Sequence, residues 1–357
     1  MKTSIFIQSR TCSLVLLLLC LGIATMYGQE LVPRNYIAFK ASETLTIDGK
    51  GDDGSWQKAP WSQDYIDIEG KLIPDYRTRM KMLWDNDYLY VLAEMEEPHV
   101  WATLKQRDTV IFYNNDFEIF IDPDGDTHNY YEYEMNAHNT LWDLFLTKPY
   151  RNHGKVIDSW DIQGVKSAVS IDGTLNDSSD TDKGWTVEIA IPWKVITEAS
   201  NGGQVPENDF WRINFSRVNW KFDLTDGRYS RKKDDNGKFM PEYNWVWSPQ
   251  GVINMHEPEH WGYVYFSSEE TGAKANFSIP QDDYIKWYLY SLYRGVLQGK
   301  KDAEKLVAMP KTILEKTIKP SLEKHRFGYN IWVKSPFTGK ILTIKEDGEF
   351  RSLEEKK

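Results

Sequence analysis

Between Phe112 and Asp143 the sequence gathers side chains suited to recognising hydroxyl groups. Phe112-Tyr113-Asn114-Asn115-Asp116-Phe117-Glu118 is followed by Asp122-Pro123-Asp124-Gly125-Asp126, by Asn136-Ala137-His138-Asn139 and by Trp142-Asp143. Glu118 alternates with Phe117 and Ile119, and Asn136 with Met135. In extended backbone both polar groups then point away from their apolar neighbours. If the two segments pair, a carboxylate and an amide share one sheet face. A carboxylate accepts hydroxyl donors, and an amide both donates and accepts. Sugars present hydroxyls in that mixed form, with apolar C–H faces that lie against aromatic rings, and Phe112 and Tyr113 are rings close by. The same residues also fit a polar network that satisfies buried groups inside a sandwich. Residue types alone leave both readings open.

Other chemistry finds less to work with. Asp122, Asp124 and Asp126 put oxygen ligands at alternate positions around a glycine, like the start of a calcium loop. No Glu follows at the position that would complete it, and Asp and Gly also favour plain turns. Calcium is thus a possible structural ion, alongside a tight turn of solvated acids. The seven histidines show no paired zinc spacing; His256 and His260 lie four apart, but Pro258 between them rules out an ordinary helix. No nucleophile elbow and no phosphate loop occurs. With 53 acids, carboxylate pairs are inevitable in space, so they do not single out a glycosidase.

The elements that must position these groups are strands. Residues 79–83 and 88–95 are apolar runs around the turn Asp85-Asn86-Asp87. Phe117, Ile119 and Ile121 alternate with Glu118, Phe120 and Asp122. The same period of two recurs at Tyr131, Tyr133, Met135 and Ala137, at Trp185, Val187, Ile189 and Ile191, and at Trp211, Ile213 and Phe215. Many short strands with turn clusters between them predict a mainly β chain folded as an antiparallel β-sandwich over residues 36–267. One or two helical turns are expected at 193–199. Residues 275–357 read as a separate, small helical and hairpin appendage. An amphipathic helix is expected at 282–298, helical composition continues over 301–324 despite Pro310 and Pro320, and residues 330–334 and 340–345 flank a turn at Ser335-Pro336-Phe337-Thr338-Gly339.

The N-terminus has the layout of an export signal. Lys2 and Arg10 precede an apolar run at 14–23, and small residues at Ala24, Thr25 and Gly28 suit cleavage near Gly28. The run is shorter than the ~20 residues a bilayer span needs, so no membrane span is expected after cleavage. The expected compartment is the periplasm or the medium. Both cysteines, Cys12 and Cys20, lie in this leader, so the mature chain excludes disulfides and thiolate chemistry. Losing Lys2 and Arg10 leaves 41 basic against 53 acidic residues, a formal charge of −12. That sign excludes nucleic acid as the expected partner. The 15 Trp and 20 Tyr must mostly pack the core, with some left for flat binding platforms.

Several stretches jointly resemble the family 9 carbohydrate-binding modules. Thr44-Leu45-Thr46-Ile47-Asp48-Gly49-Lys50-Gly51-Asp52-Asp53-Gly54-Ser55-Trp56 is similar to their opening strand, and Leu83-Trp84-Asp85-Asn86-Asp87-Tyr88-Leu89-Tyr90-Val91 to a hairpin. Asn115-Asp116-Phe117-Glu118-Ile119-Phe120-Ile121-Asp122 resembles their most telling strand. Gly184-Trp185-Thr186-Val187-Glu188-Ile189-Ala190-Ile191-Pro192-Trp193 and Trp261-Gly262-Tyr263-Val264 resemble later ones. The resemblance spans roughly 37–267. It implies a sandwich related to DOMON-type domains, structural calcium, and sugar held between two tryptophans with Glu, Arg and Asn hydrogen bonding. Glu118 matches the binding Glu and Asn136 the binding Asn. The first clamp ring falls on Phe112, beside Tyr113. The second falls near Met255, in Ile253-Asn254-Met255-His256, and the binding Arg falls on Glu134. These departures make Trp245 a candidate replacement ring and Arg217 a candidate replacement cation, with Asn254 and His256 beside Met255.

The expected function is therefore non-catalytic binding of an oligosaccharide or polysaccharide. Two other readings stand beside it. One is an enzyme acting on O-glycosyl bonds, since the family sits beside glycoside hydrolases, although a sandwich and an appendage leave no room for a catalytic domain. The other is a haem- or partner-binding envelope protein, with Met255 and His256 as conceivable iron ligands.

Overall fold

The computed structural model describes residues 31–299 and 302–354, and Pro33–Lys357 form one compact unit. The expected leader, with its cleavage site, Cys12 and Cys20, lies outside the described residues. The strands of the main sheet begin with β1 (Asn35–Lys40), β2 (Ile66–Asp67), β3 (Thr78–Trp84) and β4 (Tyr88–Glu96). They continue with β5 (Asp116–Asp122), β6 (Tyr130–Asn136), β7 (Leu141–Leu146), β8 (Val156–Ile157), β9 (Lys166–Asp172) and β10 (Gly184–Pro192). After β11 (Phe210–Asn219) come a separate ribbon of β12 (Phe222–Thr225) and β13 (Arg228–Arg231), then β14 (Tyr243–Val246) and β15 (Gly262–Glu270). The hydrogen-bonded order is β8-β7-β6-β5-β11-β15-β1-β3-β4-β10-β9, with β14 pairing β11 and β2.

This path is folded over on itself. Phe117, Ile119, Ile121, Tyr131, Tyr133, Met135, Ile213 and Phe215 meet Met80, Met82, Trp84, Val91, Met95, Val187 and Ile189 in one buried core. The period-two residues thus form the two inner faces of a sandwich. The strand that joins the layers departs from the expected antiparallel order. β1 runs parallel to both neighbours, pairing through Asn35–Ala38 with β15 and through Phe39 and Lys40 with β3. Its register slips between Ala38 and Lys40, the irregularity by which a strand turns from one layer to the other.

The stretch before Trp56 is tied to the outer face of the second layer. Glu188 accepts from Trp56 Nε1 at 2.8 Å and from the backbone N–H groups of Asp48 and Gly49 at 3.1 and 3.0 Å. Gly49 is left-handed at φ 85°, and a Cβ there would lie 2.7 Å from the backbone N of Ser170. Only glycine permits that approach. The expected turns at 193–199 form as a short helix, Trp193–Ile196, and a 3-10 turn.

The C-terminal region begins with a helix, Gln281–Leu297, here called the docking helix. Residues 302–324 do not continue as one helix. After a five-residue helix, Ala303–Val307, they form strands Lys311–Ile313 and Lys316–Ile318 and then Ser321–His325. Leu314 and Glu315 take positive φ at the tight turn, Pro310 and Pro320 end the segments on either side, and β-branched Thr312, Ile313, Thr317 and Ile318 favour extended backbone. A four-stranded sheet, Ser321–His325, Gly328–Lys334, Ile341–Lys345 and Phe350–Leu353, completes the region. Ile285, Leu289 and Leu292 pack with Ile331, Val333, Leu342 and Ile344 into its own core. The helix also grips the sandwich: Arg294 pairs with Glu259 at 2.6 Å, and Tyr263 OH donates to Asp283 at 2.5 Å. Among the described residues no helix is long and apolar enough to cross a membrane.

Candidate functional site

The outer face of β5 and β6 is not open sheet. Glu118, Glu132, Glu134 and Asn136 are all buried, because loops from both directions in sequence close over them. Cross-strand pairing sets Glu118 opposite Glu134 and, on the other side, opposite Ser216 of β11; Glu134 in turn faces Trp142 of β7. These carboxylates floor a pocket of about 370 Å³. Phe120, Leu144 and Leu146 extend the floor. Phe112, Trp142 and Tyr150 stand at its sides, and the loop Ile253–Asn254–Met255–His256 closes the far wall. Glu242 and Arg151 reach it from further loops.

Of the residues expected to bind a ligand, Phe112, Glu118, Asn254, Met255 and His256 come together here. Phe112 is held by its backbone N–H, which donates to Glu134 Oε2 at 2.9 Å. His256 is buried, with Nδ1 2.8 Å from Tyr130 OH and Nε2 3.8 Å from Glu132. Burial, helped by Arg151, pushes its pKa down to about 3, so the imidazole is neutral. Met255 packs beside Phe120, Tyr130 and Trp261, and its carbonyl accepts from Trp261 Nε1 at 2.9 Å.

Four expected residues are placed elsewhere. Asn136 shares the face of Glu118 but is sealed at the strand end, donating to the Leu104 carbonyl at 2.9 Å and accepting from the backbone N–H of His138 and Thr140. Tyr113 meets Phe112 edge-on and lies under the Arg231 guanidinium, outside the pocket lining. Arg217 follows Ser216 on β11, so it faces the opposite way. Its Nη2 donates to Glu97 at 2.6 Å and its Nη1 to Thr78 at 3.0 Å, all fully enclosed at the end of the sandwich. Trp245 lies in that same interior group, stacked on Tyr243 and 5.1 Å from the Arg217 guanidinium. Neither the proposed replacement ring nor the replacement cation therefore reaches the pocket.

Sequence reading placed Trp142 in the Phe112–Asp143 stretch without giving it a role, and missed Tyr150, Glu132, Glu242 and Arg151 as lining groups. The parity that turned Glu118 outward applies equally to Glu132 and Glu134, so those two carried a local signal. Glu242 and Tyr150 carried none, since they arrive from loops remote in sequence.

The electrostatics of the floor are unusual. Asp116, Glu118 and Glu134 bring carboxylate oxygens within 4.8 Å of one another. Burial pushes Glu118 up to about 7. Burial, and then the neighbouring acids, hold Asp116, Glu132 and Glu134 well above the ordinary carboxylate range.

The acidic turn after β5 is a different site. Asp122, Asp124 and Asp126 also come within 4.8 Å of each other. They are not solvated turn acids: Asp122 is fully buried and the other two are half-buried. Asp122 accepts from the backbone N–H of Gly125 and Thr127, each at 2.9 Å, and Asp126 from that of His128 at 2.7 Å. The docking helix drives the buried Lys286 into the turn, where its ammonium donates to the Gly125 carbonyl and faces Asp122 and Asp126. Backbone N–H groups and the Lys286 ammonium at the Gly125 carbonyl compete with any ion for this turn. No role is assigned to a metal here.

Residues 47–210 match the family described as carbohydrate family 9 binding domain-like. The chain is 31% identical over 265 residues to exoglucanase XynX of Acetivibrio thermocellus, across 73% of this chain and 20% of that one. It is 31% identical over 159 residues to endo-1,4-beta-xylanase A of Thermoanaerobacterium saccharolyticum, across 44% and 12%. It thus spans a fifth or less of the length of these relatives. A solved family 9 carbohydrate-binding module of Caldicellulosiruptor kristjanssonii, in complex with cellotriose, aligns at 16% identity and TM-score 0.41 over 68% of this chain and all of that one. Strands β5 to β7 and the acidic pocket floor lie inside the matched segment, which is similar to the carbohydrate family 9 binding domain-like family.

Proposed function

We propose that the chain binds carbohydrate without cleaving it, as a recognition module in polysaccharide use. The observation that carries this is the convergence of Glu118, Phe112, Trp142 and Asn254 on one open pocket of about 370 Å³. That volume falls within the roughly 300–1,000 Å³ of small-ligand pockets. Sugar hydroxyls donate to the carboxylates of the floor, while a C–H face lies on the Trp142 or Phe112 ring. The family's description and the relatives named exoglucanase and endo-1,4-beta-xylanase support sugar as the ligand class.

A hydrolytic reading has less behind it. A glycosidase sets two carboxyl groups on either side of the scissile bond, roughly 5 Å or more apart. Glu118 and Glu134 instead stand side by side on one floor, with Asp116 behind them and an oxygen of each within 4.8 Å of the others. The same proposal places the mature protein outside the cytoplasm, supported by the layout of residues 2–28. N-terminal sequencing of the expressed protein should find cleavage near Gly28.

Isothermal titration against a broad oligosaccharide panel is the direct test. Binding should appear in the wild type and disappear in Glu118→Ala. Silence across the panel would count against the module, and reducing ends released from polysaccharide would overturn the non-catalytic assignment.

A further inference from the structure

The pocket has an excess of acid that recognition of neutral hydroxyls does not need. Glu118, Glu132, Glu134 and Glu242 line it, and Asp116 stands directly behind Glu118 and Glu134. Among the described residues the one cationic side chain lining it is Arg151, which is exposed and donates to the Ile253 carbonyl at 3.2 Å. Among the described residues no Lys or Arg pairs with any of the five acids. The nearest base is His256 Nε2, 3.8 Å from Glu132, and that ring is neutral.

Buried carboxylates without a counter-charge are costly unless a partner arrives. Two further acceptors are also left open. Asp116 is fully buried, and its Oδ1 accepts from the Val218 N–H at 3.2 Å, while its Oδ2 has no hydrogen-bond partner. Asn254 donates to Glu257 through its amide nitrogen at 3.0 Å, but its Oδ1, beside the pocket, has none. The cluster therefore wants donors and positive charge together. Trp142, Phe112 and Tyr150 add ring faces of the kind that attract cations.

Resting on the carbohydrate reading above, we infer that the pocket selects a sugar bearing a free ammonium group, an amino sugar such as glucosamine or its β-linked oligomers. An ammonium brings three donors and no acceptor, which meets Glu118 and Glu134 on the floor and sets positive charge in front of Asp116 behind them, while the ring occupies space far larger than a bare ion requires. A metal would satisfy the carboxylates but leave the aromatic walls and most of the cavity unused.

The test compares glucosamine oligomers with their N-acetylated forms, with neutral cello-oligosaccharides and with calcium chloride alone, by titration of the full chain at a pH where the amine is charged. N-acetylation keeps the ring and removes the charge. Charge-assisted hydrogen bonds make the expected preference for the free amine about tenfold or more. Glu134→Gln, which retains an acceptor for Phe112 N–H, and Glu242→Gln at the half-exposed rim should each shrink that preference while leaving the circular dichroism spectrum unchanged. Equal affinity for amine and N-acetyl forms, or a preference for the neutral sugars, overturns this inference and leaves the carbohydrate reading intact. Calcium binding that displaces the amine overturns it in favour of a metal site. No binding of any sugar removes both.

Discussion

Replacing Glu118 with Gln should change how stability depends on pH, by an amount the structure sets. Burial pushes this carboxyl from the usual 4.5 to about 7. The folded protein therefore holds the proton more tightly than the unfolded chain does. The stability this contributes is whole below about pH 4.5 and is lost as the pH rises through 7. At 1.36 kcal/mol per pH unit the loss is about 3 kcal/mol. Glutamine has nearly the same shape and no proton to lose, so Glu118→Gln should escape that decline. It should also relieve Asp116, Glu132 and Glu134, each of which is raised in part by Glu118, which widens the gap in the same direction. Urea unfolding at intervals from pH 5 to 8 would measure it. The wild type should lose about 3 kcal/mol more than the variant across that window, or roughly 5 °C in melting temperature. Parallel curves would refute the placement of an uncompensated acid in a closed floor.

Other substitutions separate the pocket from its surroundings. Lys286→Met removes the buried ammonium that faces Asp122 and bonds the Gly125 carbonyl, and should destabilise by about 1–3 kcal/mol; millimolar calcium should leave the wild-type melting temperature unchanged, and a rise of several degrees would show that an ion, not the lysine, balances the turn. Trp142→Ala should weaken sugar binding about tenfold with little change in melting temperature, whereas Trp245→Ala, in the core, should cost about 3–5 kcal/mol; titration and melting curves of the pair distinguish the two roles. Arg217→Met leaves the buried Glu97 with only the Asn115 and Asn219 amides and no counter-charge, and should destabilise by about 3–5 kcal/mol in chemical denaturation. Any variant fraction that still folds should bind sugar as the wild type does.

Local pattern carried much of the fold. The period of two at Phe117–Ile121 and Tyr131–Met135 identified the inner faces, and the same parity turned Glu118 away from the core. It also contained a fact that was not drawn from it, namely that Glu132 and Glu134 follow Glu118 outward. Parity contradicted the choice of Arg217, which stands one residue after Ser216 and so on the other face. The stretch 301–324 misled because its composition favours helix while its proline positions and β-branched pairs favour short strands once a sheet is there to receive them.

What the amino-acid order determined by itself was the alternation of each strand, the family resemblance and the acidity of the Phe112–Asp143 region, since these depend on near neighbours along the chain. Which carboxylates share a floor, which loop covers them and which cation answers the Asp122 turn were decided only in three dimensions. Register between β5, β6 and β11, the return of residues 253–256 and the arrival of Lys286 from more than 150 positions away are all long-range packing. Such packing is selected by the burial of the whole unit, and no local window of sequence encodes it.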